Sequence, residues 1–284
     1  MVSAADVKSL RDKTGAGMSD CKKALEEADG NMEAAIEFLR KRGAATAAKR
    51  ADRAANEGNV VARTSEDGQT AVLVEVNCET DFVARNEEFI AFCDAVADSL
   101  LAHDVANEDA LWALSFENRT LGDLRDEMLS KFSEKIGLSR FERVTTNGHI
   151  MDYIHAGSRL GVLVEFEGTT PTEDTKPLTR DIAMQVAAMQ PMFVSREEVD
   201  QDTLNKEREI YRQQAIEEGK KEDIAERIAD GRLGKFYEEQ VLIEQTFVKD
   251  PKRKVSDIVK EISKISGGEV QVVKFHRFNI GESN

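Results

Sequence analysis

Apolar residues recur at helical spacing in three short stretches between residues 4 and 43. Glycine-containing turns at residues 14–17 and 29–30 separate these stretches, because glycine permits the backbone angles of a tight turn. Helices of this length are marginally stable alone, so the pattern predicts a packed three-helix bundle. We expect the third helix to end at Gly43, and the Ala-rich, charged stretch at 44–58 to be a helical or flexible linker.

A repeat without gaps, at an offset of 90 residues, follows this bundle. Gly58 matches Gly148, and the segment VLVE at 72–75 matches the same segment at 162–165. Each copy has two apolar strands joined by a short polar connection, and then an amphipathic helix. The predicted elements are strands at 60–64 and 70–77 with a helix at 87–101, and strands at 150–155 and 161–166 with a helix at 178–189.

The second copy contains a charged insert between residues 195 and 240. A narrow apolar stripe runs along two helical stretches on either side of Gly219, which predicts an antiparallel helical hairpin. The sequence leaves two interpretations of its surface open, a solvated helix pair and a contact with a second copy of the chain. The remaining predicted elements are a helix at 121–136, a strand at 141–145, a helix at 255–265 and a strand at 270–278.

These patterns together predict an α+β fold, since helices and strands occur in runs that leave one sheet face to be covered. The fold consists of an N-terminal three-helix module, then a duplicated strand-strand-helix core with the inserted antiparallel helical hairpin. The predicted domains are residues 1–54, 55–147 and 148–284, with the hairpin insert at about 195–240.

The charge of the chain narrows the classes of partner. Its 284 residues include 39 Lys and Arg against 54 Asp and Glu, for a net charge of −15. This acidity argues against direct nucleic-acid binding, because phosphate contacts need basic side chains, and against an anionic membrane surface. No apolar run approaches the length of a membrane span, and the first residues lack a signal-peptide pattern. We therefore predict a cytoplasmic protein with a protein partner and no membrane contact.

Few residues suggest bond-making chemistry. Cys21, Cys78 and Cys93 occur without a CxxC pair, which argues against a disulfide framework and a zinc site. The glycine motifs GxxxxGK[ST] and GxGxxG are absent from the sequence, and the four histidines lack the HExxH spacing. We expect no catalytic residue, metal ligand or cofactor. A hydrolase whose triad assembles only in the folded chain stays a third hypothesis.

Two apolar side chains lie in predicted loops. Met18 follows a glycine turn, and it is either a core residue of the bundle or a contact for a partner. Phe82 lies in the connection 78–86, which the second copy replaces by polar turn residues at 168–173. An aromatic ring in water is unfavourable by about 1.5–3 kcal/mol relative to a buried one. Phe82 therefore either packs onto its own subunit or enters a partner.

Four long segments give the most specific signal. They are LRDKTGAGMSDCKKAL at 10–25, EVNCETDFVAR at 75–85, HAGSRLGVLVE at 155–165 and FHRFNIGE at 275–282. In this order and spacing they resemble the signatures of the bacterial elongation factor Ts family over nearly the whole chain. The resemblance implies a translation elongation factor that promotes release of GDP from elongation factor Tu, binding its GDP-bound and nucleotide-free forms, without covalent chemistry.

The resemblance also implies roles for particular residues. The N-terminal module of this family is a ubiquitin-associated-like bundle that docks on the G domain of the partner, and His155 would lie where the phosphate-binding loop is perturbed. The loop that disturbs the partner's magnesium site would consist of Thr80, Asp81, Phe82 and Val83. The other residues of the implied docking surface are Leu10, Arg11, Met18, Lys22 and Lys23.

The sequence leaves three points open. An alternative function is a non-catalytic adaptor that binds helices or ubiquitin-like partners through the three-helix module. A homodimer through the helical hairpin is an open expectation. The closing motif is followed only by Ser283 and Asn284, without the carboxyl-terminal helix of some relatives, so the contacts of that helix are not assigned here.

Overall fold

The structure, a computed structural model, describes residues 2–50 and 53–282, and of these residues it describes all side chains except those of 43–50. The predicted α+β class is confirmed. The elements in chain order are α1 (Ala4–Thr14), α2 (Met18–Glu27), α3 (Met32–Arg50), β1 (Glu57–Thr64), β2 (Thr70–Cys78), α4 (Asp81–Ala84), α5 (Glu87–Ala102), α6 (Glu108–Trp112), β3 (Ser115–Phe116), β4 (Arg119–Thr120), α7 (Leu121–Phe132), β5 (Gly137–Thr145), β6 (His149–Ile154), β7 (Leu160–Glu167), α8 (Lys176–Met189), α9 (Gln201–Glu217), α10 (Glu222–Gln240), β8 (Thr246–Phe247), β9 (Asp250–Lys254), α11 (Val255–Ser266) and β10 (Gln271–Asn279).

Helices α1, α2 and α3 form the predicted bundle. A capping box between Ser3 and Asp6 begins α1, and Gly15 ends it in the left-handed conformation at φ 65°. The side chains that fill the core of the bundle come from all three helices. The apolar face of each helix is therefore covered only when the other two are in place. These core residues include Val7, Leu10, Cys21, Leu25, Ala35 and Leu39.

The third helix is longer than the sequence pattern suggested. The predicted end at Gly43 is wrong, because α3 continues through the Ala-rich stretch as far as Arg50. Alanine is the strongest helix former, and a run of alanines outweighs the cost of about 1 kcal/mol for one interior glycine. Residues 51 and 52 of the predicted linker lie outside the described residues.

Each copy of the repeat forms one antiparallel three-stranded sheet. The first sheet has the strand order β1-β2-β5, and the second has the order β10-β7-β6. The predicted repeat is confirmed at the level of register, because Asn59 lies opposite Val76 and His149 lies opposite Phe166, each residue shifted by 90. The third strand of each sheet comes from later in the chain. The domain boundaries at 54 and 147 stay predictions.

The matching glycines of the repeat have a common steric reason. A Cβ atom on Gly58 would lie 2.1 Å from the carbonyl oxygen of Val76, and one on Gly148 would lie 1.9 Å from that of Phe166. Real Cβ atoms do not approach an oxygen so closely, so only glycine allows the two strands to pair at this point. The glycine match in the sequence therefore marks a close backbone approach at the start of each sheet.

The two sheets pack against each other and are covered by helices on their outer faces. Side chains alternate along a strand, so Leu73 and Leu163 lie between the sheets while Val74 and Val164 point to the helices. Helices α5 and α7 cover the first sheet, and α8 and α11 cover the second. The result is four layers, in which the core between the sheets is shared by both copies.

The insert forms the predicted antiparallel hairpin of α9 and α10. Ala215, Ala225 and Ala229 are buried between the two helices, and small side chains let them approach closely. Ion pairs cross the outside of the hairpin, for example from Arg208 to Asp230 at 2.6 Å. The hairpin therefore folds as a charged pair of helices with a narrow apolar contact between them.

Two features of the described residues concern membranes and metal ions. Among the helices of residues 2–50 and 53–282, none combines the length and apolar character that crossing a bilayer requires. In the same part of the chain, no group of three or more His, Cys, Asp and Glu side chains is placed to hold a metal ion.

Candidate partner-binding site

The connection after β2 turns into the one-turn helix α4. The hydroxyl of Thr80 accepts a hydrogen bond from the backbone N–H of Val83 at 3.4 Å and so caps this helix. Val83 is buried, whereas the ring of Phe82 is 84% exposed, more than any other large apolar side chain in the described part of the chain. Of the two alternatives that the sequence left open, the structure shows a ring directed away from its own subunit.

Glu134, in the segment after α7, holds this connection from outside. Its carboxylate accepts hydrogen bonds from the Thr80 hydroxyl at 2.6 Å and from the backbone N–H groups of Glu79 and Thr80 at 3.0 Å each. Bonds to a charged acceptor are among the stronger ones in proteins. Phe82 therefore projects from a turn that is fixed to one side chain by two backbone bonds and one hydroxyl bond.

The connection is also held from the strand beneath it. The buried side-chain amide of Asn59 donates to the carbonyl oxygen of Ala84 at 2.8 Å. The next residue, Val60, donates its backbone N–H to the carbonyl oxygen of Ser158 at 2.7 Å. Because adjacent residues hold α4 and the turn that contains His155, the two predicted contact regions lie at the same end of the core.

His155 lies in the turn between β6 and β7 and is exposed. Its Nδ1 atom is 2.9 Å from the hydroxyl of Tyr153, and the guanidinium of Arg180 lies 5.6 Å from the centre of the Tyr153 ring. An ion pair between Arg159 and Glu57 joins this turn to the start of β1. The imidazole is thus oriented by its neighbours while its outer edge faces solvent.

The thiol of Cys78 supports the same connection from inside. It is fully buried and donates a hydrogen bond to the carbonyl oxygen of Thr80 at 3.2 Å. Burial, together with the nearby charge of Glu134, raises the pKa of the Cys78 thiol to about 12. Burial also raises the pKa of Cys93 well above its usual range. Both cysteines act as protonated, buried structural groups.

The module presents a second set of predicted contact residues. Met18, the first residue of α2, is 45% exposed, and Lys22 and Lys23 on the same helix are exposed as well. Arg11 is exposed on α1. The prediction that Leu10 contacts a partner needs correction, since its side chain has no exposed surface. Leu10 lies in the core of the bundle because it points to the inner face of α1, and it supports the surface from beneath.

Two residues that shape the site, Glu134 and Asn59, were not predicted from the sequence. Glu134 is 54 positions from the Thr80 that it holds, so no local pattern connects them. Asn59 is the one polar residue among the buried positions 58–62 of β1, and it directly precedes the strand predicted at 60–64. Both act on the backbone of the connection rather than on Phe82 itself.

Comparisons with known proteins agree with this architecture. The family model described as "Elongation factor TS" matches residues 79–282. Elongation factor Ts of Chloroherpeton thalassium is 48% identical over 286 residues, and that of Prosthecochloris aestuarii is 47% identical over 285; each alignment covers 99% of both chains. Elongation factor Ts of Clostridium novyi is 46% identical over 286 residues, which cover 99% of this chain and 94% of the relative.

Identity at this level over the full length, with a family match to more than half of the chain, defines the class. The chain is a translation elongation factor of protein biosynthesis. It belongs to the elongation factor Ts family.

Proposed function

We propose that this protein promotes release of GDP from elongation factor Tu by inserting Phe82 into the partner near its magnesium and phosphate site. The observation that carries the proposal is an aromatic ring, 84% exposed, on a turn that hydrogen bonds fix in place. The family to which the chain belongs supports the identity of the partner.

The energetics favour a rigid apolar wedge. Burial of the Phe82 ring in a partner is worth about 1.5–3 kcal/mol, which helps to offset the cost of separating two packed elements there. Because Glu134 and Asn59 already fix the backbone of the turn, little conformational freedom is lost on binding. Asp81, which precedes Phe82 in the chain, is paired with Arg85 at 3.2 Å.

A displaced magnesium site explains how such binding releases nucleotide. Mg²⁺ requires near-octahedral oxygen geometry, so a small shift of the groups that hold it weakens the hold on the phosphates. By linkage, a factor that binds the nucleotide-free partner more tightly lowers nucleotide affinity by the same ratio. A tenfold effect needs a preference of about 1.4 kcal/mol. No covalent bond is made or broken, and this is the sense in which the chain is a nucleotide exchange factor without catalytic residues.

His155 and the module provide the remaining contacts in this proposal. His155 reaches the phosphate-binding loop of the partner from the same end of the core as Phe82. The exposed residues of the module, Arg11, Met18, Lys22 and Lys23, dock on the G domain in both the GDP-bound and the nucleotide-free states. The net charge of −15 supports a protein partner in the cytoplasm and no direct contact with nucleic acid or membrane.

A homodimer through the helical hairpin stays a separate prediction. Ile210, Ile216 and Ile224 are exposed along its two helices, at 48%, 37% and 43%. Sedimentation of the wild type and of a variant with Ile210→Ser and Ile216→Ser tests this prediction. A concentration-dependent dimer that these changes abolish would confirm it, and a monomer at all concentrations would refute it.

The proposed function is tested by following release of a fluorescent GDP analogue from elongation factor Tu with catalytic amounts of the full chain. Phe82→Ala is expected to lower the release rate at saturating factor by about tenfold to a hundredfold, the equivalent of the lost burial. The matched control is Ile265→Ala, which removes an apolar side chain that is 43% exposed on α11. It is expected to leave the rate within about twofold.

Two results would contradict the proposal. Equal rates for Phe82→Ala and Ile265→Ala would show that the ring is not the wedge. Binding of elongation factor Tu without faster GDP release would instead favour the adaptor function. Unfolding curves of both variants show whether the fold is intact.

A further inference from the structure

Lys131, in the last turn of α7, contacts both the three-helix module and helix α5, which follows the Phe82 connection. Its aliphatic stem lies against Gly15 of the module, where an added Cβ atom would be 2.9 Å from the Lys131 Cδ atom and 3.1 Å from its Cγ and Cε atoms. Its ammonium group forms an ion pair with Glu88 in the first turn of α5. One side chain thus spans from the module to the helix that follows the Phe82 connection.

The rest of the seam between the module and the core is a helix-to-helix contact. Helix α3 packs along α7, and Arg40 forms an ion pair with Asp123. Asp123 also accepts a hydrogen bond from the backbone N–H of Thr120 at 3.0 Å, so its position is fixed by the capping box of α7. A cleft of about 250 Å³ remains between the module and α7. The cleft is lined by Thr14, Ala16 and Ser130, the chain neighbours of Gly15 and Lys131, so the seam is not filled next to their contact.

The docked arrangement leaves the predicted contact residues accessible. Gly15 touches Lys131, yet Met18, three positions later, is 45% exposed. Lys22 is also exposed, with 66% of its side-chain surface in solvent. On the other side, Glu88 is six positions after the exposed Phe82. The seam therefore uses the face of the module that the proposed partner surface does not.

We propose that Lys131 is a positioning residue that holds the three-helix module and the Phe82 connection as one prearranged binding surface. The inference rests on the proposed function, because it requires both regions to contact the same partner. When two contact regions are fixed relative to each other, engagement of the first places the second at its site without a further loss of freedom. Lys131 therefore sets how tightly the factor binds, while Phe82 sets how fast nucleotide leaves once it is bound.

Three variants of the full chain separate the two parts of the Lys131 side chain. Lys131→Ala removes the stem and the charge, whereas Lys131→Met keeps a stem against Gly15 and removes only the pair with Glu88. The matched control is Lys264→Ala, at a lysine in the last turn of α11, which covers the second sheet as α7 covers the first. Unfolding curves show whether each variant is folded. If Lys131→Ala is not folded, Lys131→Met still tests the contact.

The kinetic measurement is GDP release as a function of factor concentration. Lys131→Ala is expected to raise the half-maximal concentration about fivefold to tenfold, as for loss of a prearranged second contact, with the maximal rate unchanged. The half-maximal concentration of Lys131→Met is expected to lie between those of Lys131→Ala and Lys264→Ala. An unchanged half-maximal concentration, or a fall confined to the maximal rate, would overturn the proposal.

Small-angle X-ray scattering of the free chain provides a readout that does not depend on exchange. Lys131→Ala is expected to increase the radius of gyration relative to the wild type and Lys264→Ala, because the module leaves α7 more often. Identical scattering of the three proteins would overturn the positioning role. If instead the wild type does not accelerate GDP release, the proposed function fails, and scattering still decides whether Lys131 holds the module.

Discussion

The two copies of the repeat connect their second strand to the following helix by segments of equal length, residues 79–86 and 168–175, but they use them differently. The second segment is polar, and its threonines bond to each other and to α11, as Thr172 does to Thr175 and Thr169 does to Ser266. The first segment contains α4 and displays Phe82. The sheet needs only a connection at this place, so the exposed ring is not required by the fold.

This difference separates the positions that stabilise both copies from the connection that is proposed to bind the partner. Positions that agree between the copies, such as the leucines at 73 and 163, pack between the sheets. The connection at 79–86 disagrees between the copies, and it has an exposed ring and long-range bonds from Glu134 and Asn59. We infer that the shared positions determine stability and that the divergent connection determines partner binding. The predictions below test this division.

The largest expected effect concerns the positions that the copies share. Leu73 and Leu163 are equivalent and fully buried between the sheets. Leu73→Ala and Leu163→Ala should each lower the free energy of unfolding by about 2–5 kcal/mol, through lost burial and the cavity left behind. Urea unfolding measures this, with Val248→Ala at an exposed position as the control, expected within about 0.5 kcal/mol of the wild type. A large cost at one leucine and none at the other would show that the copies do not share this core.

An intermediate effect is expected where the copies diverge. Glu134→Ala removes the acceptor of three hydrogen bonds and should lower the free energy of unfolding by about 1–3 kcal/mol. It should also slow GDP release although Phe82 is retained, because the turn under the ring loses its support. Stopped-flow release assays measure the second effect, with Glu173→Ala in the polar connection of the second copy as control. Unchanged release by folded Glu134→Ala would show that an ordered turn is unnecessary.

The last effect is absent at neutral pH and involves Cys78, whose counterpart in the second copy is Gly168. Its pKa is raised to about 12 in the folded chain, so the folded state favours the protonated thiol more than the unfolded state does. The stability that this thiol contributes is therefore complete below its ordinary pKa near 9 and is lost as the pH rises toward 12. The change is at most about 1.4 kcal/mol per pH unit.

The pH effect is measured as the difference in unfolding free energy between the wild type and Cys78→Ala at pH values from 8 to 11. Other groups that titrate in this range are present in both proteins, so they cancel in the difference. We expect the advantage of the wild type to shrink above pH 9. A difference that stays constant with pH would contradict a buried, protonated thiol in the folded chain.

Much of the fold could be predicted from periodicity. The register of β1 with β2 and of β6 with β7 follows the 90-residue offset that the sequence shows, because strand pairs joined by short turns are local structures. The helical hairpin follows from its stripe of apolar residues in the same way. The addition of β5 and β10 as third strands was not predicted, since their partners are distant in the sequence.

The candidate site was predicted less completely. The sequence identified the connection and Phe82, but it left the direction of the ring open, because that direction depends on bonds from Glu134 and Asn59. It also placed Leu10 on the docking surface, although a motif contains core and surface residues alike and only packing separates them. The role of each of the other named contact residues stays a prediction.

The apolar layer between the two sheets has a consequence for any shortened form of this protein. Ala71 and Leu73 from the first half, and Ile150 and Leu163 from the second, cover one another. A fragment with only one half would expose a flat apolar sheet to water and would aggregate or be degraded. The two halves must therefore be synthesised, folded and turned over together, and a cut between them should destroy both at once.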